Sequence, residues 1–502
     1  MKKQYIKFLL TAAILTSGDN LFSGEQLYFQ KHFLQLEGKV YQVIVKDVNG
    51  DLSPDILVLH TRSTFSGTHV DRLISIFFQK NNCFSNESDQ ILTADQNEIA
   101  FDIEDIDSDG LPELLFLKTD GIYQRKYSGN GFSRRLELIL KIPSIFLSND
   151  PSKLFQYNFV RDVDGNGVPD FIIPQPHRFV VISKNRRGEW ENQKKLWMFP
   201  EYSILKKEGL TFSFKLPSIY LADFNGDNIV DLFSVTGDVL NVYLQHHTEL
   251  YFFLIPPDLH YRMGAESIGT SALSPIAPEL TSLELKDLNR DGYVDVLLTK
   301  ASRASFTKNI TQIQIYLNRA GRLNHLPDQI LTAENFTGEH VISDFNQDGL
   351  LDIALLTFKI GFAQAIKFFI TRKVSNSYDF YLMHDENTYP GKPAGKISFS
   401  RRVKIGSLFN SNICRSFNGD FNGDGIKDFL IGTDANEFSI FMGRHGSLPA
   451  RNSVFKINGP ISTHLWVGNI NKDKYSDIIL WYPENSKVSD KVLLMVNICR
   501  TE

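Results

Sequence analysis

Apolar positions along this chain fall in short runs rather than long stripes. "VYQVIV" from Val40, "DILVLH" from Asp55 and "LISIFFQ" from Leu73 are rich in β-branched and aromatic residues, with Gly, Asn and Asp between them. Such runs predict strands, because branched side chains pack well on a pleated surface and Gly or Asx residues supply the turns. The order recurs later, with "IQIYLNRAGRL" from Ile313 and "FSIFMGRHGSL" from Phe438 as third strands leading into Gly-containing turns. No segment sustains an apolar period of 3.6 residues, which disfavours a helical solenoid. Four short strands in a unit of roughly 60 residues suit a propeller blade.

Between the first and second strand of each unit stands an acidic loop of the form D-x-[DN]-x-[DN]-x-x-x-[DE]. It reads "DVNGDLSPDILVL" from Asp47, "DIDSDGLPELLFL" from Asp105, "DVDGNGVPDFIIP" from Asp162 and "DFNGDNIVDLFSV" from Asp223. It continues as "DLNRDGYVDVLLT" from Asp287, "DFNQDGLLDIALL" from Asp344, "DFNGDGIKDFLIG" from Asp420 and "NINKDKYSDIILW" from Asn469. The hexapeptide "DQILTA" also occurs twice, at 89–94 and 328–333, so the duplicated unit is the whole blade. The expected fold is all-β, a β-propeller of four-stranded blades. Eight blades are favoured, and seven with one motif outside the ring is the alternative. The last unit supplies only three strands, and an extra strand at 25–36 would complete it and close the ring, removing two exposed sheet edges.

Alternating carboxylates and amides gather hard oxygen donors around one point, which is the chemistry calcium prefers. An EF-hand is excluded by Val58, Phe116, Ile173, Ser234, Leu298, Leu355, Ile431 and Leu480, which stand where that motif needs its bidentate glutamate, and by the flanking strands. Taken singly, each loop could equally be an Asx turn whose carboxylates cap backbone N–H groups. The loops with their flanking strands resemble the FG-GAP and VCBS repeats of bacterial secreted proteins and of the integrin alpha-chain propeller. Literal Phe-Gly and Gly-Ala-Pro elements are absent, with Gly432 the nearest remnant, so the bacterial form is the closer likeness.

That resemblance implies calcium, several ions with one per well-formed loop, held by positions 1, 3, 5 and 9. The ligand sets are Asp105, Asp107, Asp109 and Glu113; Asp287, Asn289, Asp291 and Asp295; Asp344, Asn346, Asp348 and Asp352; and Asp420, Asn422, Asp424 and Asp428. Three further sets carry one departure each. Asp162, Asp164, Asn166 and Asp170 have an amide at position 5, and Asp223, Asn225, Asp227 and Asp231 have Asn228 at position 6. Asp47, Asn49, Asp51 and Asp55 have Leu52 there, a poorer turn than glycine. The eighth loop, Asn469, Asn471, Asp473 and Asp477, lacks one carboxylate and gains Lys474, and is expected to be an empty structural turn.

Composition narrows the function. The 502 residues carry a formal charge of −5, which gives no footprint for nucleic acid. Calcium in every loop would reverse that charge and favour acidic glycans or a cell surface. "MKKQYIKFLLTAAILTSG" has a basic start, a short apolar core and small polar residues after it, the order of a secretory signal peptide. Residues 1–24 are predicted to be that signal and 25–502 the propeller, with a secreted, periplasmic or cell-surface location and no transmembrane segment. Cys83, Cys414 and Cys499 form no disulfide framework. No HExxH, GxSxG or P-loop occurs, and the adjacent His246 and His247 would face opposite sides of a strand.

Two segments exceed the repeat, 251–264 and 377–396, both rich in aromatics, Pro and His. Loops on a rigid scaffold are where binding residues concentrate. The expected function is a non-enzymatic, calcium-binding adhesion module, a monomer with a protein or carbohydrate partner at the loop rim. The alternatives are a lyase-like polysaccharide enzyme, with His260, Tyr261 or His384 in a rim cleft, and a structural component of the cell envelope.

Overall fold

The computed structural model describes residues 25–63, 70–144, 152–199, 201–206, 210–236, 239–244, 254–255, 258–262, 279–303, 309–334, 336–358, 362–384, 387–402, 414–434, 436–453, 455–460, 462–498 and 500–501. It is a β-propeller of eight four-stranded blades. The expected signal at 1–24, His246, His247 and Cys499 lie outside the described residues.

Blade 1 is built from Lys39–Lys46, Asp55–Ser63, Val70–Phe77 and Gln90–Ala94, each antiparallel to the next. Blades 5, 6 and 7 repeat the same simple order from Glu279–Lys286, Phe336–Ser343 and Arg415–Gly419 onward. Blades 2 and 3 each add a short parallel strand. Phe155–Gln156 pairs beside Ala100–Glu104, and Leu254–Ile255 pairs beside Trp190–Leu196. Blade 4 follows a separate hairpin, Glu201–Lys206 with Leu210–Lys215, and takes its fourth strand from Leu259–Arg262.

Blade 8 supplies His464–Gly468, Asp477–Trp481 and Lys491–Asn497, and the N-terminal strand Phe29–Gln35 pairs along the whole of the last one. Glu25–Gln26 also pairs with Arg500–Thr501. The ring therefore closes through the segment that the hydrophobic pattern at 25–36 marks as an extra strand. Backbone bonds support the joint, with Val40 N–H donating to Ser489 O at 2.7 Å and Leu36 N–H to Asp490 O at 2.9 Å.

Alternate residues of every strand face a neighbouring blade, so the core is a set of clusters between blades. Leu57, Ile74 and Phe101 pack between blades 1 and 2, and Phe171, Ile122 and Phe159 between blades 2 and 3. Val58, Phe77, Ile479 and Leu494 pack between blades 8 and 1, completing the circle. One α-helix, Phe362–Thr371, lies between the second and third strands of blade 6. Its sequence, "FAQAIKFFIT", holds a helical period too short to stand out between two strands. Among the described residues no helix is long and apolar enough to cross a membrane.

Candidate metal centres

The acidic loops all join first to second strands, so they gather on one face of the ring. Each is folded by its own side chains. At position 6 the backbone N–H donates to the position-1 carboxylate, as in Gly110 to Asp105 at 2.9 Å, Gly349 to Asp344 at 2.9 Å and Gly425 to Asp420 at 2.8 Å. The position-7 N–H donates to position 5, as in Leu111 to Asp109 and Ile426 to Asp424, both at 2.8 Å. These are Asx turns, and the capped-turn reading of each loop describes its hydrogen bonds correctly.

The position-9 residue does something different. Asp55, Glu113, Asp170, Asp231, Asp295, Asp352, Asp428 and Asp477 are at most 2% exposed. One oxygen of each accepts the position-2 backbone N–H, from Val48 at 3.1 Å to Phe421 at 2.8 Å. In five blades the second oxygen accepts an N–H at or just past the end of the third strand: Gln79, Asn318, Met383, Gly443 and Asn497, at 2.7 to 3.0 Å. This carboxylate staples the loop to the far side of its own blade. Burial pushes Asp55 and Asp170 up to about 6, and Glu113, Asp295, Asp352, Asp428 and Asp477 up to about 7. Rim carboxylates of the same loop add to the rise.

Positions 1, 3 and 5 stand nearer solvent. Asp105, Asp107 and Asp109 offer carboxylate oxygens within 4.8 Å of one another, and so do Asp162, Asp164 and Asp170. Lys126 forms an ion pair with Asp107, a cation beside the second loop. In loops carrying Asn at position 3, its amide donates to the position-5 carboxylate, for example Asn346 to Asp348 at 2.7 Å and Asn422 to Asp424 at 2.8 Å. Asp287 keeps a buried Oδ1 that accepts no hydrogen bond.

Two features of the site escape a reading of the ligand pattern. Position 4 is left-handed in every loop, at Gly50, Ser108, Gly165, Gly226, Arg290, Gln347, Gly423 and Lys472. The turn needs that conformation, and glycine there also makes room for the next loop: a Cβ on Gly226 would lie 2.3 Å from the Tyr293 ring. The second feature is an amide after the third strand. Asn318 Nδ2 donates to Phe224 O at 2.7 Å and Asn497 Nδ2 to Phe421 O at 2.8 Å, each tying a blade to the loop of its predecessor. Gln79 makes the same bond to Ile470 O across the closure. The signal was present, as an Asn or Gln at one place in "FFQ", "YLN" and "MVN".

The repeated "DQILTA" is likewise explained. Asp89 and Asp328 accept the N–H groups of Phe78 and Leu317 at 2.9 and 2.8 Å. Gln90 and Gln329 reach the backbone of the next blade at Phe132 and Tyr389. The described parts of the oversized segments include blade strands and buried rings. Leu259–Arg262 is a strand, Tyr261 packs against Phe224, and Tyr389 is buried with its hydroxyl on Leu351 O at 2.7 Å. His384 is exposed on blade 6 while Tyr261 belongs to blade 4, and the side chain of His260 lies outside the described residues.

A model of the FG-GAP-like repeat family matches residues 287–355, from the first aspartate of the fifth loop through the sixth loop and into its strand. The chain is a β-propeller that carries FG-GAP-like repeats. Integrin alpha-PS3 of Drosophila melanogaster is 28% identical over 174 residues, which is 32% of this chain and 15% of the integrin. The chain thus matches only a small part of that relative's length. Among solved structures, an Agrocybe aegerita lectin that recognises non-reducing terminal N-acetylglucosamine aligns over 72% of this chain and 80% of its own, at 16% identity and a TM-score of 0.37. The V. cholerae biofilm matrix protein Bap1 aligns over 94% and 91%, at 12% identity and a TM-score of 0.30. A propeller with FG-GAP-like repeats suggests a binding or adhesion type of module.

Proposed function

We propose that this FG-GAP propeller is an exported, calcium-stabilised adhesion module, with residues 1–24 as its signal and 25–502 as the mature ring. The observation that carries the metal assignment is the convergence of carboxylate oxygens in the second and third loops, on a turn that recurs around the ring. The orphaned Asp287 Oδ1 and the tight Asp105, Asp107 and Asp109 trio fit a divalent ion. Positions 1, 3 and 5 of the first seven loops would hold calcium. Position 9 can contribute too, because an oxygen that accepts one N–H keeps a second lone pair. The ion would neutralise carboxylates that otherwise repel one another, and so pin the loops that neighbouring blades pack against.

Activity is not needed to account for these residues, since the carboxylates are committed to folding loops. A protein or carbohydrate partner, acidic glycans included, would bind along the loop face of a monomeric ring. The test is calorimetric titration of calcium into chelator-treated protein, with melting at both endpoints. Several equivalents and a raised melting temperature are expected. No heat and no shift would reduce the loops to capped turns. Binding to acidic and neutral polysaccharides, with and without calcium and across salt, then tests the partner class. Equal, salt-independent binding would remove the electrostatic part of the proposal.

A further inference from the structure

The connection between the second and third strands of blade 6 is the longest of its kind in the ring, and nothing above uses it. It contains the helix Phe362–Thr371. Arg372 ends the helix in a left-handed conformation, φ 57°, with its N–H donating to Phe368 O at 2.7 Å. Phe368 is buried and anchors the helix, with the Arg372 guanidinium over its ring. Ile366, Phe369 and Ile370 point the other way and are 46, 65 and 77% exposed. Their i, i+3, i+4 spacing makes one apolar stripe.

The surroundings of that stripe are cationic. Residues 362–373 include Lys367, Arg372 and Lys373 and no acid. Lys373 and Val374 pair in register with Arg402 and Arg401, which brings two more cations to the same end of the blade. The neighbouring blade 7 brings Asp434, 4.0 Å from the Arg402 Nε, and Glu437, already paired with Lys456, to the same end. Strands alternate in direction, so this end of the blade lies opposite the face that carries the acidic loops.

From this juxtaposition we propose that the blade-6 helix is an interfacial anchor that inserts Ile366, Phe369 and Ile370 into an anionic lipid surface. A protruding apolar ridge within a basic rim has the form of a helix lying in a bilayer interface. Acidic headgroups complement the rim. A second copy is a poor occupant, because two-fold pairing would bring the same cations face to face. A protein interface is equally poorly served, since a stable one buries about 800 Å² per partner and this ridge offers three side chains. The acidic loops point away from the membrane in this pose.

The test sediments the chain with vesicles of phosphatidylcholine alone and of phosphatidylcholine containing one third phosphatidylglycerol, in chelator. Binding is expected to the second only, and to fall with salt. The double substitution Phe369→Ser, Ile370→Ser should weaken it roughly tenfold or more, and Lys367→Glu with Lys373→Glu should do likewise. Melting temperature should not change, because all four side chains face solvent or the rim. A Phe369→Trp variant, which disturbs no core, should shift its emission to the blue on anionic vesicles. Equal binding to both vesicles, undiminished binding by the variants, or no blue shift overturns the proposal. So does a blue shift produced by protein concentration without lipid, which would assign the ridge to a second copy, and so does binding that requires calcium, which would assign it to the loop face.

Discussion

The seventh and eighth loops sit side by side in the ring and share a left-handed position 4, yet they differ in what they can hold. In both, the position-9 aspartate is fully buried and binds the same two backbone N–H groups: Phe421 and Gly443 for Asp428, Ile470 and Asn497 for Asp477. In both, the position-7 N–H caps position 5 at 2.8 Å. The seventh has Asp420 at position 1, accepting the N–H groups of Gly423 and Gly425 at 2.7 and 2.8 Å. The eighth has Asn469 there, whose amide turns instead to the carbonyl of Asp473. Position 6 is left-handed in the seventh, at Gly425, while Lys474 in the eighth does not adopt that conformation. Stapling the blade and gathering ligands are thus separable tasks assigned to different positions. The eighth loop keeps the first and has lost much of the second.

The largest effect should come from the shared staple. Asp428→Ala leaves two buried N–H groups unpaired, and Asp477→Ala does the same one blade on. Each should cost about 3 kcal/mol in denaturant unfolding, since an orphaned buried donor costs about 1–3 kcal/mol. The two losses should match in chelator. A loss at Asp428 that appears only in calcium would make position 9 a ligand first and a staple second.

Next in size is the unshared task. At calcium a hundredfold above its dissociation constant, one site contributes about 2.7 kcal/mol. Asp420→Ala should therefore remove one calorimetric equivalent and about that much stability in calcium, beyond the loss of its backbone caps that remains in chelator. Asn469→Ala should remove no equivalent. The pair Asn469→Asp, Lys474→Gly should add one, and failure to gain it would mean that more than these two positions separates the loops.

The parts of this site that were legible in the sequence are those written in one short segment. Carboxylates at fixed spacing name the loop, and the alternating strands on either side give the blade. The strand at 25–36 was legible because the last unit visibly lacked one. What could not be read depends on contacts from elsewhere. Asp428 appears as one more acid of the loop, and only the return of the third strand to Gly443 buries it and commits both its oxygens. Position 4 is hidden for another reason. Its left-handed turn is adopted by Ser108, Arg290, Gln347 and Lys472 as well as by glycine, so no single residue type marks it. The helix at Phe362–Thr371 was invisible because its aromatic-rich ten residues lie in a chain of strands.

A smaller test separates the loops from the ring. Asn497 belongs to the eighth blade, but its side chain holds the seventh loop through Phe421 O at 2.8 Å. Asn497→Ala should cost about 1–1.5 kcal/mol, the worth of one ordinary hydrogen bond, and its own staple to Asp477 should survive because that uses the backbone N–H. Calcium stoichiometry should not change. A lost equivalent would show that the seventh site depends on its neighbour.

A last effect of similar size distinguishes the two loops by backbone alone. Gly425 has φ of +82° and nothing within 4 Å of where a Cβ would stand, so Gly425→Ala meets no clash and pays only for the left-handed conformation. That cost is about 1–2 kcal/mol for a residue with a Cβ. Lys474 stands at the same position of the eighth loop without that conformation, and Lys474→Ala should be close to neutral. The difference between the two substitutions, read by melting in chelator, measures the turn with the ion removed. If it grows in calcium, the left-handed residue helps shape the ion site. If it stays constant, position 6 shapes the turn, and ligand chemistry at position 1 alone separates a metal loop from an empty one.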